Sequence, residues 1–259
     1  MQKEYLKLLR NPYTGNKLKL SKSFLYDEKT GEEFKIKEGI PSILRESMVS
    51  GLNKTYQKKY DKLVHFYDFL GDLLGPIFGT DKVMKNVAEI IEIQQNDKVL
   101  ETSVGTGKQI ENLLKYKKKA EFFGVDISRG MLRKFKKNSK KWNIEPFMVQ
   151  GNAETLPFAD ETFDIVFHIG GINFFNDKKS AVHEMVRVAK PGAKIYIGDE
   201  TEKLLEREPS ILKRFFEKPS PGTYEPPIKY IPEGMINVLQ HNLWDGKMYL
   251  ISFEKPKNS

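Results

Sequence analysis

Val99-Leu-Glu-Thr-Ser-Val-Gly-Thr-Gly107 carries a short apolar strand into an acidic residue, then a glycine-bearing turn, and a helix follows. A second apolar strand, Glu121-Phe-Phe-Gly-Val-Asp-Ile127, ends in Asp126, about 20 residues past the turn, where a nucleotide ribose is usually gripped. A carboxylate at the tip of that strand can accept both ribose hydroxyl protons. Glycines let backbone approach a ligand with no Cβ in the way. Together the two segments describe a nucleoside pocket at the carboxyl ends of parallel strands.

The alternation continues on both sides. Strands are expected over 98–101, 121–127, 147–150, 163–169 and 193–198, with helices from Gly107, from Ser128 and over 177–189. Thr80-Asp81 reads as the cap of an earlier helix through Ile93. Strands alternating with helices imply βαβ units and a parallel sheet, so the fold class is α/β. Leu204 to Phe216 is helix-like, and Pro219 to Pro227 is a proline-rich loop. The end of the chain, 236–243 and 247–253 around Trp244-Asp-Gly246, carries the Asp-Gly signal of a β-hairpin.

Two further blocks extend the pattern. One is Gln150-Gly-Asn-Ala-Glu-Thr-Leu-Pro-Phe-Ala-Asp-Glu-Thr-Phe-Asp-Ile-Val-Phe-His168; the other is Glu184-Met-Val-Arg-Val-Ala-Lys-Pro-Gly-Ala-Lys-Ile-Tyr-Ile197. The order of the blocks resembles class I S-adenosylmethionine (SAM)-dependent methyltransferases, closest to the branch of ubiquinone and menaquinone biosynthesis enzymes. The resemblance spans about residues 80–200. It implies a Rossmann-like, mostly parallel sheet closed by the antiparallel strand of the C-terminal hairpin, with SAM as cofactor. The cofactor residues it implies are Glu101, Ser103, Gly105 and Gly107 of the first motif, Asp126, Ile127 and Met131 after the second strand, Asn152 and Ala153 after the third, and His168. It also implies Tyr67 of Tyr67-Asp68, on a helix covering the cofactor, with Tyr60-Asp61 as a second candidate pair.

Two positions depart from the family pattern. Ser103 stands where the first glycine of the motif is usual. It is harmless at negative φ and strained by about 1 kcal/mol or more at positive φ. Asn152 replaces the usual aspartate before Ala153, keeping an acceptor for the adenine amino group and losing the charge.

The amino-terminal segment has its own pattern. Asn11-Pro-Tyr-Thr14-Gly15 and Asp27-Glu-Lys-Thr30-Gly31 have the outline of Cys-x-x-Cys-Gly knuckles with every cysteine replaced. The run Phe34-Lys-Ile-Lys-Glu-Gly-Ile-Pro-Ser-Ile-Leu44 resembles the last strand of small zinc-ribbon modules. Thiolates hold zinc in such ribbons, so 1–45 reads as a degenerate ribbon without metal. Its core would be Leu18, Leu20, Phe24, Leu25, Phe34, Ile36, Ile40 and Ile43. An ordinary small β-meander is the competing reading. The remainder, 46–259, is the catalytic domain, with a helical lid over 46–79 and a substrate-side insert over 200–235. Gly71, Gly75-Pro76 and Gly79 would break the lid helix. Phe66, Phe69 and Leu70 read as core packing.

Bulk properties fit a soluble enzyme. The 259 residues allow one sizeable domain and a small appendage. With no cysteine there is neither a disulfide nor a thiolate metal site, and no metal is expected. No apolar run approaches the roughly 18 residues of a membrane span, and no signal peptide opens the chain, so the cytoplasm is the expected location and no membrane insertion is expected. Nothing speaks to oligomeric state. The net charge of +8 would attract polyanions. However, the lysine runs 115–119 and 133–141 fall near helix ends, where the dipole favours them.

Methyl transfer needs alignment above all, because the donor is already activated. His168, at the end of a strand, could act as a base near neutral pH; alternatively it bonds the methionine carboxylate or the loop Gly170-Gly171. Asn173 could orient a polar group of the substrate, and Phe174 and Phe175 could wall its pocket. The expected partner is a small, partly apolar acceptor. The alternatives are an RNA methyltransferase, favoured by charge and disfavoured by the lost cysteines, and a non-catalytic protein of the same fold, favoured by Ser103 and Asn152.

Overall fold

The computed structural model describes residues 2–55, 57, 58, 61, 80–116, 120–206 and 224–257. Tyr60, Tyr67, Asp68, the aromatic and glycine positions of 62–79, Lys117 to Lys119 and residues 207–223 of the 200–235 insert lie outside them.

Four short antiparallel strands open the chain in the order of the sequence: β1 (Leu18–Ser21), β2 (Phe24–Asp27), β3 (Glu33–Lys37) and β4 (Ile40–Pro41). The two knuckles meet as the cysteine spacing implies, but a carboxylate stands at their centre. Asp27 is fully buried. Its Oδ2 accepts from Asn11 Nδ2 at 2.9 Å, Thr14 Oγ1 at 2.8 Å and Asn16 Nδ2 at 3.1 Å. Its Oδ1 accepts from the Lys29 and Thr30 amides at 3.0 and 3.4 Å. Burial pushes the carboxyl upward, but the bonds from Thr14, Asn16 and Asn11 outweigh it and hold the group well below the usual range. Its contribution to stability is therefore present above the unfolded pKa, near 3.9, and lost as pH falls through the folded value. Asp27→Ala would leave several buried donors without an acceptor. Limited proteolysis should then cleave residues 1–45 markedly faster than in the wild type; an unchanged cleavage rate would contradict this account of the knuckles.

Leu18, Leu25, Phe34, Ile40 and Ile43 are buried as expected, while Phe24 and Ile36 are half-buried. Leu20 is instead 40% exposed. It sits beside the hairpin tip on the edge strand β1. The module shares its core with the large sheet. Leu6, Leu9, Leu25, Phe34 and Ile43 belong to the same apolar cluster as Phe123, Phe147 and Phe158. Backbone bonds join the two: Arg10 N donates to Pro157 O at 3.0 Å, Ala159 N to Leu8 O at 2.8 Å, and Ile43 N to Gln150 O at 2.8 Å.

The large sheet contains β5 (Lys98–Thr102), β6 (Glu121–Asp126), β7 (Phe147–Gln150), β8 (Phe163–Ile169), β9 (Ala189–Glu200), β10 (Ile236–Leu243) and β11 (Met248–Glu254). Their order is β10-β11-β9-β8-β5-β6-β7. The pairs β5–β6, β6–β7, β5–β8 and β8–β9 are parallel, and β11 runs antiparallel to both β9 and β10. The hairpin turns through Trp244, Asp245 and Gly246, all at positive φ, as its Asp-Gly pair requires. Between the strands run α1 (Thr80–Ile90), α2 (Lys108–Tyr116), α3 (Arg129–Lys141), α4 (Lys178–Val188) and the short α5 (Glu202–Glu206). Ser128 and Asp177 cap α3 and α4 by accepting from Met131 N and Ser180 N.

β9 begins four residues earlier than 193–198 suggests. Ala189 is extended and pairs with Phe163, which ends α4 at Val188. Among the described residues, no helix is long and apolar enough to cross a membrane.

Candidate active site

β5 has β6 on one side and β8 on the other, so the strand order reverses there, and ligands of open α/β sheets bind at the carboxyl ends beside such a switch. The turn after β5 occupies that place. Ser103, Gly105 and Gly107 all have positive φ, at 57°, 55° and 80°. A Cβ on Gly107 would lie 2.2 Å from the Phe135 ring of α3, so the turn and that helix touch through the missing side chain. A Cβ on Gly105 would meet nothing within 4 Å, which leaves that backbone face open to a ligand.

Asp126 closes β6 and ties the turn to it. Its Oδ2 accepts Gly105 N and its Oδ1 accepts Ser128 N, both at 2.8 Å. Burial raises the carboxyl to about 6, the two amide bonds pull it down, and the charge of Asp61 adds to the rise. Asp61 belongs to the second tyrosine-aspartate pair named from the sequence. Its Oδ1 accepts Ser128 Oγ at 2.6 Å and Gly130 N at 3.0 Å, at the amino end of α3. The Ile127 carbonyl accepts two side-chain amides, Gln57 Nε2 at 3.1 Å and Gln150 Nε2 at 3.2 Å. Gln150 Oε1 in turn accepts Ser42 Oγ at 2.8 Å, which links the amino-terminal module to the strand-end loop.

Glu101 is 1% exposed, and its Oε2 has no hydrogen-bond partner among the described residues. Burial, followed by the charge of Asp126, pushes its pKa well above the usual carboxylate value. Met131 and Ala153 are buried, and Ile127 is half-buried. Asn152 Oδ1 accepts Glu154 N at 3.0 Å, closing a local turn that presents the strand-end loop.

His168 is fully buried in β8. Its Nδ1 lies 2.9 Å from Thr102 O, an oxygen that can only accept, so Nδ1 carries the proton and Nε2 keeps its lone pair. Nε2 has no partner among the described residues. Burial lowers the imidazole to about 4, against a small rise from the Thr102 bond. The ring is therefore neutral at pH 7 and a weak base. Phe175 packs edge-on to it at 5.1 Å, and Phe174 packs edge-on to Tyr224 at 6.4 Å. Asn173 is 2% exposed. Its amide is occupied within the fold, Nδ2 donating to Glu200 O at 3.0 Å and Oδ1 accepting from Lys178 Nζ at 3.4 Å.

The sequence reading missed Asp199. This carboxylate at the end of β9 is 2% exposed and accepts Gly171 N, Asn173 N and Glu200 N. Burial raises it to about 6 against the pull of those three amides and of Lys178. Tyr249, paired with Asp199 across β11, is fully buried, and its hydroxyl has no partner among the described residues. The signal available was an acidic pair, Asp199-Glu200, one glycine after the apolar run Ile195-Tyr-Ile197.

Residues 100–197 match the family model described as a methyltransferase domain. A demethylmenaquinone methyltransferase of Thermotoga maritima is 33% identical over 167 residues, covering 64% of this chain and 67% of that protein. The ubiquinone/menaquinone biosynthesis C-methyltransferase of Wigglesworthia glossinidia brevipalpis is 29% identical over 171 residues, covering 64% of this chain and 65% of its own length. The chain thus spans less than two thirds of that relative. A SAM-dependent methyltransferase structure from Methanococcus maripaludis shares the fold, with a TM-score of 0.59, 22% identity, and coverage of 81% of this chain and 96% of that one. The chain belongs to the class I SAM-dependent methyltransferases.

The residues present in this chain fit the family cofactor. An unpartnered, buried carboxylate oxygen on Glu101 calls for a donor or cation. The open face of Gly105 admits backbone contact, and the Asp126 carboxylate stands beside it at the end of β6. The Ser103 question is also answered: its φ of 57° is the strained case. Ser103→Gly should relieve about 1 kcal/mol, raising Tm by about 2–4 °C for a protein of this size. Thermal unfolding checks this, and an unchanged or lowered Tm would show that the serine side chain compensates.

Proposed function

We propose that this protein transfers a methyl group from SAM to a small, largely apolar acceptor, a reduced quinone ring or a close chemical relative. The observation that carries the reading is the unpartnered Glu101 Oε2, buried beside the Asp126-bonded glycine turn. SAM, when bound, supplies a methyl group already activated by its sulfonium. What remains for the chain is binding, alignment and the exclusion of water. Glu101 offers its carboxylate to the cationic end of the cofactor. Asp126 receives the ribose hydroxyls. Ile127, held by Gln57 and Gln150, and Ala153 flank the base. Asn152 marks the adenine end.

The acceptor side follows from β8 onward. Phe174 and Tyr224 form an aromatic wall, and the names of the Thermotoga and Wigglesworthia relatives point to quinone rings. An electron-rich ring carbon would attack without prior deprotonation, its new bond to the methyl carbon forming as the methyl–sulfur bond breaks, and its proton would then pass to bulk water. This chemistry suits a site whose histidine is a weak base at neutral pH. His168 then serves as a neutral hydrogen-bonding group of the wall.

The test is methyl transfer from SAM to a prenylated naphthohydroquinone, followed by mass spectrometry. A product heavier by one methyl group is expected. RNA binding across a salt series accompanies it and should be weak at physiological salt. Tight binding to structured RNA, with log affinity falling by roughly 0.7 per phosphate contact against log salt, would favour the RNA enzyme. Tight SAM binding without transfer to any quinol, phenol or amine would favour a non-catalytic role.

A further inference from the structure

The loop after β8 contains Gly170 and Gly171, with φ of 81° and 110°. A Cβ at either would meet nothing within 4 Å, so no packing at these two positions sets their conformation. Two adjacent glycines have little intrinsic preference of their own. The loop's path is set by bonds to the end of β9. Gly170 N donates to Gly198 O at 2.9 Å. Gly171 N and Asn173 N donate to one oxygen, Asp199 Oδ2, at 3.1 and 2.9 Å, while Oδ1 accepts Glu200 N at 2.9 Å. Asn173 Nδ2 adds a fourth loop bond, to Glu200 O. Just beyond these anchors stand Phe174 and Phe175, the aromatic rings of the acceptor side.

We propose that Asp199 is the positioning residue of the acceptor side, holding the 170–174 loop so that Phe174 meets Tyr224 and walls the pocket. The proposal rests on the methyltransferase reading above for its functional consequence. Among the described residues, the hydrogen bonds of this carboxylate all lie within 171–200. None reaches Glu101, Asp126 or the 103–107 turn, so its loss separates acceptor use from cofactor binding. A charged acceptor suits this task because a carboxylate bonds several amides at once and bonds them more strongly than a neutral group.

Asp199→Asn keeps the volume and offers one acceptor oxygen in place of two. Amide hydrogen exchange at Gly171 and Asn173 should quicken by roughly tenfold or more, the scale of one charge-assisted bond. SAM affinity by calorimetry should stay within about twofold of the wild type. KM for the prenylated naphthohydroquinone should rise by roughly tenfold with kcat much less affected, and Asp199→Glu should recover part of the loss. Unchanged exchange at 171 and 173, or SAM affinity falling in parallel with acceptor use, would overturn the proposal. A wild type that binds SAM but leaves the quinol unmethylated would refute the acceptor assignment instead. Exchange and SAM affinity would then still decide for or against Asp199.

Discussion

Gly107→Ala should cost this protein about 3–5 kcal/mol, the largest single effect of any small substitution near the site. Two costs add. At φ of 80° an alanine sits in the left-handed region, at about 1–2 kcal/mol. Its Cβ would also lie 2.2 Å from Cδ2 of Phe135, a ring that is fully buried and packs against Trp142 at 6.2 Å. Denaturant unfolding should show the loss as a lower midpoint, and thermal unfolding as a fall of about 10 °C. Gly105→Ala is the control. Its Cβ meets nothing, so it carries only the conformational cost, but it closes the backbone face offered to the cofactor. It should lose only that conformational part, about 1–2 kcal/mol, and bind SAM poorly. Equal stability losses for the two variants would show that contact with α3 is not what Gly107 provides.

SAM affinity should depend on pH through Asp126. The ribose hydroxyls need the ionised carboxylate as acceptor, and burial has raised that group to about 6. Affinity should be level above about pH 7 and fall as pH drops through 6, reaching about tenfold weaker at pH 5. Without ligand the sign is opposite. A folded pKa above the unfolded value of about 3.9 means that this group's stabilising contribution is complete below pH 3.9 and is lost as pH rises through 6. His168 acts the other way. Its folded value of about 4 lies below the unfolded value near 6.5, so stability falls as pH drops through that window. Comparison with Asp126→Asn cancels the histidine contribution. This variant should bind about tenfold more weakly at pH 7.5, a loss of about 1.4 kcal/mol, and should lack the step near pH 6. A wild-type affinity that stays flat from pH 8 to 5 would mean that the ribose does not rest on this carboxylate.

The sheet was legible because its strands are apolar runs set between helices, and a parallel sheet buried on both faces needs just that composition. Strand ends over 147–150 and 163–169 coincide with β7 and β8, since the turns beside them are polar and leave little choice. The start of β9 was not legible. Ala189 follows four helix-compatible residues, and only its pairing with Phe163 across the sheet makes it extended. The meeting of the glycine turn with Asp126 was legible for a similar reason: Glu101, Gly105, Gly107 and Asp126 lie in two short segments whose spacing reports it. Ser103 was ambiguous because φ is a property of the folded turn and not of the serine. Asp199 and Gln150 were hidden because their roles lie in bonds to Gly171, Asn173, Ser42 and Ile127, which the chain brings near only after folding. In the amino-terminal module, the cysteine-free knuckles were legible as positions, but the carboxylate at their centre was not, because nothing local says that Asn11, Thr14 and Asn16 all point at Asp27.

The most direct measurement is a calorimetric titration of the wild type and Asp126→Ala with SAM at pH 7.5. The account predicts saturable binding at one site in the wild type and an affinity about tenfold lower in the variant. No saturable binding by the wild type, or identical binding by the two proteins, would contradict it.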